Sequence, residues 1–342
     1  MIFSQLVLNW FHFFGRKNLP WQKQKNLYNI WISEIMLQQT QVKIVVPYFK
    51  KFIKTFPNIK TLANSSLKNI MYVWSGLGYY TRARNLHKTS KIILEKYNGI
   101  FPDNFNVIIN FPGIGKTTAG AILSFALGSY FSILDSNVKR VLLRFYLIKK
   151  YIKNQNSEKK LWKIIELITP IYNTDKFNQA IMDIGSLICT IKQPKCHLCP
   201  LNYLCLSYKN QIWLNYKIKK NTKSKINKTF LCTIIRYKDS IFLEMNKIYN
   251  LWNSLFILPM FEKKTEMLIW FKKNQLDYKK TIKLKSIHCI LSNYSLKINI
   301  NIINIKSKKE ILKKKSNIWY KLFNPQSIGI PKPIDSLLKQ LK

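Results

Sequence analysis

Four of the six cysteines in this chain of 342 residues stand in one short loop with the spacing C-x6-C-x2-C-x5-C, namely Cys189, Cys196, Cys199 and Cys205. Clustered thiols indicate disulfides or a metal site, and disulfides are disfavoured in a reducing cytoplasm. We expect a cytoplasmic protein, because no basic segment and cleavage site mark the first residues as a signal peptide. The single C-x2-C pair favours a [4Fe–4S] cluster in the loop 189–205, with zinc as the alternative. Cys232 and Cys289 are expected to be buried apolar residues.

The charge is strongly one-sided: 57 Lys and Arg face 15 Asp and Glu, a net charge of +42. A polyanionic partner such as nucleic acid suits this balance. Only six of the basic residues are arginines, however, and an AT-rich genome would also enrich a chain in lysine. A hydrophobic content of 47% excludes a disordered or fibrous protein. No apolar run is long enough for a membrane span.

Apolar spacing along the chain predicts a multidomain protein. Residues 1–205 show helical periodicity at 4–15, 28–45, 66–73, 81–96, 116–127, 137–148, 158–170 and 177–188. A polar, lysine-rich stretch at 206–228 is typical of a linker. Beyond it, three short runs are typical of strands, at 230–235, 240–243 and 295–300. Helices are predicted at 264–274 and 334–341. We therefore expect an all-α N-terminal domain and an α+β domain over 229–342.

The segment Phe111-Pro-Gly-Ile-Gly-Lys-Thr-Thr-Ala-Gly120 predicts a tight turn that opens a helix. Gly113 and Gly115 let the backbone approach a phosphate, which the free N–H groups at the helix start can bind. A nucleotide-binding P-loop would need glycine in place of Asn110. Residues 111–126 therefore resemble a helix-hairpin-helix DNA-binding motif, with a purely structural turn as the alternative.

Two isolated acids stand in apolar surroundings. On a helix, Glu34 would have Ile30, Trp31, Ile35 and Leu37 as neighbours, which favours the neutral acid that a proton donor needs. Asp135 follows Ile133-Leu134. The alternative to a catalytic role is that it acts merely as the N-cap of the helix that follows. A neutral and an ionised carboxyl group together form the pair that breaks glycosidic bonds. Asp183 is a third acid, for which a hydrogen-bonding role inside a helix is expected.

The segment Gly76-Leu-Gly-Tyr-Tyr-Thr-Arg-Ala-Arg-Asn85 sets tyrosines beside arginines. Flat rings and fixed cations suit a segment that enters a base stack and grips phosphates, with Tyr79 as the wedge and Arg82 as a phosphate contact. Packing of one tyrosine in the core is the alternative.

Together, these motifs resemble the helix-hairpin-helix DNA glycosylases that carry an iron–sulfur cluster. Within that superfamily, Ser33-Glu-Ile-Met-Leu-Gln-Gln-Thr-Gln-Val42 and Leu134-Asp-Ser-Asn-Val-Lys-Arg140 are similar to signatures of the adenine DNA glycosylases. Leu251-Trp-Asn-Ser-Leu-Phe-Ile-Leu-Pro259 and Trp319-Tyr-Lys-Leu322 are similar to the family's Nudix-like domain, which reads oxidised guanine.

The resemblance implies a monofunctional enzyme of base-excision repair that hydrolyses adenine from mispairs with 8-oxoguanine or guanine. Glu34, Asp135 and Asn137 would be catalytic, and Ser292 would read the oxidised guanine, although Leu291 and Asn293 depart from the family's F-S-H. Residues expected to touch the substrate or its DNA are Trp21, Gln22, Leu37, Gln39, Tyr79, Arg82, Gly113, Gly115, Thr117 and Gln179. The implied partner is duplex DNA. We expect the protein to be a monomer that does not bind a membrane, and contacts with replication or mismatch-repair proteins stay open.

Three alternative functions fit the sequence less well. An endonuclease III-like lyase for oxidised pyrimidines would need a lysine nucleophile where Thr117 stands, and Lys116 should point elsewhere. A Nudix pyrophosphatase would need a Glu- and Arg-rich helix, but residues 262–275 offer only Glu262 and Glu266. A non-catalytic DNA-binding protein would have no use for the two acids.

Overall fold

The computed structural model describes residues 2–148, 155–213, 225–246, 251–291, 294–308 and 316–342. Contacts divide the chain into two compact units, residues 1–64 with 85–220 and residues 65–84 with 221–342. The sequence pattern placed 65–84 in the helical domain because these residues are themselves helical. Their contacts instead join them to the C-terminal half, because the backbone of Met71 lies against that of Gly329.

Among its described residues, the first unit contains helices, turns and loops but no strand. Its core joins Phe3, Val7 and Phe11, which form one stripe of the first helix, to Phe177 and Ile181. The α-helices up to residue 213, including one that belongs to the second unit (α6), are α1 (Ile2–Phe14), α2 (Pro20–Lys23), α3 (Leu27–Leu37), α4 (Val42–Thr55), α5 (Ile59–Asn64), α6 (Leu67–Trp74), α7 (Thr81–Lys96), α8 (Phe105–Ile108), α9 (Lys116–Leu127), α10 (Ser136–Phe145), α11 (Gln155–Ile168), α12 (Thr174–Asp183) and α13 (Leu206–Lys209).

The predicted helix 28–45 is wrong as a single element. It is two helices, α3 and α4, separated by a turn in which Gln39 has a φ of 58°. Elsewhere the predicted helices are present, and α7 and α9 begin and end where the pattern placed them. After α12 the chain continues as a π-helix, Ile184–Ile188, and two 3₁₀ turns, Cys196–Leu198 and Asn202–Leu204, lie within the cysteine loop.

The second unit is built on a mixed sheet. Its strands are β1 (Ile226–Tyr237), β2 (Ser240–Met245), β3 (Phe256–Ile257), β4 (Met260–Phe261), β5 (Ile282–Ile290), β6 (Tyr294–Asn304) and β7 (Asn317–Lys321). The order is β3-β2-β1-β6-β5, with β4 also paired to β1 and β7 to β2. Strands β1 and β6 are parallel, and the other pairs are antiparallel.

Helix α14 (Lys264–Lys273) packs Met267 and Phe271 against Phe242 and Ile303 of the sheet. Helix α15 (Lys332–Gln340) follows near the C-terminus. The predicted strands and both predicted helices are confirmed. Across the described ranges, no helix is both long and apolar enough to cross a bilayer.

Candidate active site

Helix α3 carries Glu34 in a largely apolar setting. The helix is capped by Asn26, whose side chain accepts a hydrogen bond from the Asn29 N–H at 2.7 Å. Ile30, Trp31 and Ile35 are buried around the acid, which keeps a small part of its surface open. Loss of solvent raises the pKa of Glu34 to about 8, and the negative charge of Asp135 adds to this effect. At neutral pH the side chain therefore holds a proton that it can give away.

Asp135 caps α10. One of its carboxylate oxygens accepts from the N–H groups of Asn137 and Val138 at 2.9 and 2.7 Å, and the other accepts from Asn137 Nδ2 at 2.9 Å. Burial raises the pKa of Asp135, while these hydrogen bonds and Arg140 lower it. Although the two acids are about a hundred positions apart in sequence, they lie in the same unit and close enough for the charge of Asp135 to raise the pKa of Glu34. Asp135 is thus both an N-cap and half of a carboxyl pair.

Arg140 ties this turn to the cysteine loop. Its Nη2 donates to Asn137 Oδ1 at 2.9 Å and also to the Gly185 carbonyl, and its Nε donates to the Cys189 carbonyl at 2.6 Å. A Cβ on Gly185 would lie 2.7 Å from Asn137 Cβ, so the two segments need glycine there. The geometry of Asp135 consequently depends on the start of the cysteine loop.

Gln22, Gln179 and Asp183 form a chain of polar side chains in the same unit. Gln22 Nε2 approaches Gln179 Oε1 at 3.4 Å, and Gln179 Nε2 donates to Asp183 Oδ1 at 2.7 Å. Asp183 is fully buried and ion-paired with Arg16 at 2.6 Å, so it has the expected hydrogen-bonding role. Trp21, Gln22 and Gln179 line a cavity of about 570 Å³. Glu34, Leu37, Thr117 and Asp135 are not part of its lining.

The hairpin joins α8 to α9. Gly113 has a φ of 84°, and a Cβ there would lie 3.0 Å from Asn85 Nδ2. Gly115 is the N-cap of α9 and has open space around it. The first N–H groups of α9 have no partner within the helix, which suits them to an anion.

Two side chains at the start of α9 point in different directions. Thr117 Oγ1 donates to the carbonyl of Leu134 at 3.2 Å, and Leu134 precedes Asp135, the N-cap of α10. Lys116 Nζ is ion-paired with Glu166 at 3.0 Å and lies 3.9 Å from the centre of the Trp162 ring. As expected, the lysine points away from the direction of Thr117, and its contacts are with α11.

The four clustered cysteines surround one small cavity of about 30 Å³. Burial raises the pKa of Cys196 to about 11 and that of Cys199 to about 12, and neighbouring thiolates add to both shifts. Arg144 Nη1 donates to Cys189 Sγ at 3.3 Å. Among the described residues, no three His, Cys, Asp or Glu side chains converge closely enough to hold a single metal ion. Cys232 is buried as expected, and Cys289 is partly buried.

Comparisons with known proteins show the family of this chain. Residues 32–167 match the model of the HhH-GPD superfamily of base excision DNA repair proteins. Proteins called adenine DNA glycosylase are 49% identical in Buchnera aphidicola from Schizaphis graminum and 51% identical in that from Baizongia pistaciae. Both alignments cover 100% of this chain, and 99% and 97% of the relatives. The chain belongs to the adenine DNA glycosylase family.

Solved structures share the fold of the helical part of this family member. A thermostable thymine-DNA glycosylase is 27% identical with a TM-score of 0.57, over 61% of this chain and 96% of that one. An endonuclease III in a DNA complex, 22% identical over 61% of this chain and 94% of its own, has a TM-score of 0.53 and shows the fold alone.

Two residues that the family resemblance assigns to the base opposite adenine have strained backbones. Gln39, in the first unit, has a φ of 58° and is exposed, and Tyr79, in the second, has a φ of 47° and is 43% exposed. Side chains rarely adopt this left-handed region, and such strain concentrates at functional sites.

Arg82 is not where a phosphate contact was expected. It is 7% exposed, its Nη2 donates to the Gly78 carbonyl at 3.1 Å, and its guanidinium lies 5.3 Å from the Tyr79 ring centre. The arginine thus stabilises the turn through the Gly78 carbonyl and the Tyr79 ring. Burial lowers its pKa to about 10, so it stays charged at neutral pH.

Sequence reasoning missed the positioning arginines of this adenine DNA glycosylase. Arg16, Arg84, Arg140 and Arg144 all donate several hydrogen bonds that hold functional segments. The signal was their scarcity, since only six arginines stand among 57 basic residues. Ser292 and Asn293 lie outside the described residues.

Proposed function

We propose that this glycosylase hydrolyses the N-glycosidic bond of adenine paired with 8-oxoguanine or guanine in duplex DNA. The observation that carries the proposal is the unequal carboxyl pair. Burial and the charge of Asp135 hold Glu34 neutral; burial raises the pKa of Asp135 as well, but hydrogen bonds from Asn137 and Val138 oppose that rise. One group can give a proton while the other faces a cation, as glycosidic cleavage requires.

In the reaction, adenine turns out of the stack, which costs a few kcal/mol and is cheapest at a mispair. Glu34 gives its proton to N7 of the base, so that adenine leaves as a neutral molecule. Asp135 stabilises the oxocarbenium-like sugar, and Asn137 holds the Asp135 carboxylate in place. Glu34, now ionised, then takes a proton from the attacking water.

Recognition of the extruded base falls to the polar chain and its apolar neighbours. The amides of Gln22 and Gln179 present both donors and acceptors, which match the edge of a purine. Trp21 and Leu37 supply apolar contacts, and Thr117 closes the site beside the sugar. Gly113 and Gly115 of the hairpin would bind a phosphate through backbone N–H groups.

The donor set of the loop fits a [4Fe–4S] cluster held by Cys189, Cys196, Cys199 and Cys205. All four thiols line one cavity, yet they do not converge on one point. Ligands of a single zinc ion lie about 2.3 Å from it, and so converge closely. The cluster would supply a rigid brace, and Arg140 would transmit that rigidity to the Asp135 turn.

The C-terminal unit serves as a Nudix-like reader of the base opposite adenine. The two acids that could hold Mg²⁺ already contact other groups. Glu262 is ion-paired with Lys228 at 2.6 Å, and Glu266 accepts a hydrogen bond from the Lys263 N–H at 3.4 Å. This arrangement supports recognition without pyrophosphate hydrolysis. Ser292 would contact the oxidised guanine. The cytoplasmic location and the monomeric state stay predictions.

The test is single-turnover release of adenine from duplexes that pair it with 8-oxoguanine, guanine or thymine. We expect release from the first two, and loss of release in Glu34→Gln and Asp135→Asn. Trapping with borohydride distinguishes the lyase alternative, since a Schiff base would be captured. Full release by either variant would refute the assigned roles. A trapped adduct would refute a purely hydrolytic reaction.

A further inference from the structure

Residues on both flanks of the turn that carries Tyr79 bind distant residues of the C-terminal half. We propose that Ser75 and Arg84 position this turn, residues 75–80 (the Tyr79 turn), by binding backbone groups of Ile330 and Asn253. The inference rests on the proposed function, since it assumes that Tyr79 enters the DNA. It adds a task for the C-terminal residues besides reading the lesion, namely shaping the wedge.

Ser75 makes the first anchor. Its Oγ donates to the Ile330 carbonyl at 2.6 Å and accepts from the Ile330 N–H at 3.3 Å, so one hydroxyl satisfies both backbone groups. The preceding residue, Gly329, gives its carbonyl to the Phe256 N–H at 2.8 Å, which links this segment to β3. A Cβ on Gly329 would lie 2.9 Å from the Met71 carbonyl oxygen, so the two backbones are in direct contact.

Arg84 makes the second anchor on the other side of the turn. Its Nη1 donates to the Asn253 carbonyl at 2.9 Å and its Nη2 to Thr81 Oγ1 at 2.8 Å. The flanking residues Trp252 and Ser254 have φ values of 57° and 69°, so the carbonyl that receives Arg84 lies in a strained loop. Left-handed backbone of this kind persists only where the surroundings hold it.

Between the anchors, the backbone of the turn itself is strained. Gly76, Gly78 and Tyr79 all have positive φ values, of 95°, 78° and 47°. The Gly78 carbonyl accepts from Trp74 Nε1 and from Arg82, both at 3.1 Å. A strained turn relaxes when its ends are released, so loss of either anchor should withdraw the tyrosine ring while the catalytic acids stay intact.

The experiment uses the full-length protein and a duplex with 2-aminopurine beside the base opposite adenine. The target nucleoside is 2′-fluoro-2′-deoxyadenosine, because fluorine opposes the cationic sugar and so prevents cleavage. Entry of Tyr79 unstacks the reporter and raises its fluorescence. We expect Tyr79→Ala to abolish this rise, and Ser75→Ala and Arg84→Lys to lose most of it. The lysine keeps the charge, so attraction to DNA is matched.

Ordinary deoxyadenosine in the same duplex reports excision. Each anchor variant should slow single-turnover release roughly tenfold at saturating protein, the effect of one or two lost hydrogen bonds. Ser75→Thr, which keeps the hydroxyl, should restore both readouts. The matched control is Ser66→Ala, which removes the N-cap of the same helix, where Ser66 Oγ accepts from the Asn69 N–H. It should lower the melting temperature and leave the fluorescence rise unchanged.

A full fluorescence rise in both anchor variants would overturn the proposal, as would an equal loss in the Ser66→Ala control. A full rise in Tyr79→Ala would overturn it too, because the ring would then not be the wedge. Failure of the wild type to release adenine would refute the proposed function instead. The two failures are separate because the fluorescence is read on a duplex that cannot be cleaved.

Discussion

Replacing Glu34 by Gln should make the protein inactive and more stable at the same time. A carboxyl group whose pKa is about 8 when folded and 4.5 ordinarily binds more protons in the folded state between those pH values. The free energy of unfolding must therefore fall as pH rises from 4.5 to 8. At 1.36 kcal/mol per pKa unit, the raised pKa of Glu34 lowers the free energy of unfolding by about 1 kcal/mol at pH 5 and about 3 kcal/mol at pH 7. Because the side chain is partly open to solvent, we expect 1–3 kcal/mol at pH 7 as an order of magnitude.

The assay is urea unfolding of the wild type and of Glu34→Gln at pH 5, 6, 7 and 8. Glutamine is neutral at every pH, so any constant difference in packing cancels when the gap between the two proteins is compared across pH. We expect the variant to gain on the wild type by about 1–2 kcal/mol from pH 5 to pH 7. Excision should fall by about 10²–10⁴-fold with the loss of the general acid. A gap that does not change with pH would refute a raised pKa for Glu34, whatever the activity showed.

Three further perturbations follow from the same contacts. Asp135→Asn keeps a helix cap and removes the negative charge that adds to the raised pKa of Glu34. The alkaline limb of the residual excision rate should therefore move to lower pH, and an unchanged pH–rate profile would contradict the electrostatic interaction between the two acids. Gly113→Ala places a side chain at a φ of 84° and against Asn85, so duplex binding measured by anisotropy should weaken about tenfold; unchanged binding would contradict the role of the hairpin. Cys199→Ser should lose iron and visible absorption under anaerobic conditions and Cys232→Ser should retain both; equal iron content in the two would argue against the loop as the cluster site.

Local sequence patterns were sufficient where a segment's own residues determine its structure. Helix α9 begins after Gly115 and ends before Gly128, whose φ of 70° is a left-handed C-cap. Strand β6 buries Leu296, Ile298 and Ile300 in alternation, which is the period that predicted it. In each case the caps or the alternation can be read within a dozen residues.

Patterns failed where tertiary contacts override the local preference. Residues 38–41 are all compatible with a helix, yet α3 stops at Leu37. Gln38 Nε2 approaches the Gly113 carbonyl and Thr118 Oγ1, both at 3.3 Å, and the Thr40 N–H donates to the Leu37 carbonyl. These contacts bind the turn to the hairpin, and they require the left-handed φ of Gln39 that no propensity favours.

The candidate site divides along the same line. Glu34 and Asp135 could be found from the sequence because an isolated acid in an apolar segment indicates a functional role. Their supports could not, because Arg140 reaches Cys189 across 49 positions and Ser75 reaches Ile330 across 255. Scarcity offers a partial substitute for the missing contact information. Arginine and glycine are both rare in this chain, and the glycines at 185 and 329 each stand where a Cβ would meet another backbone at 3.0 Å or less. In a chain so rich in lysine, rare residue types mark the positions where segments distant in sequence must touch.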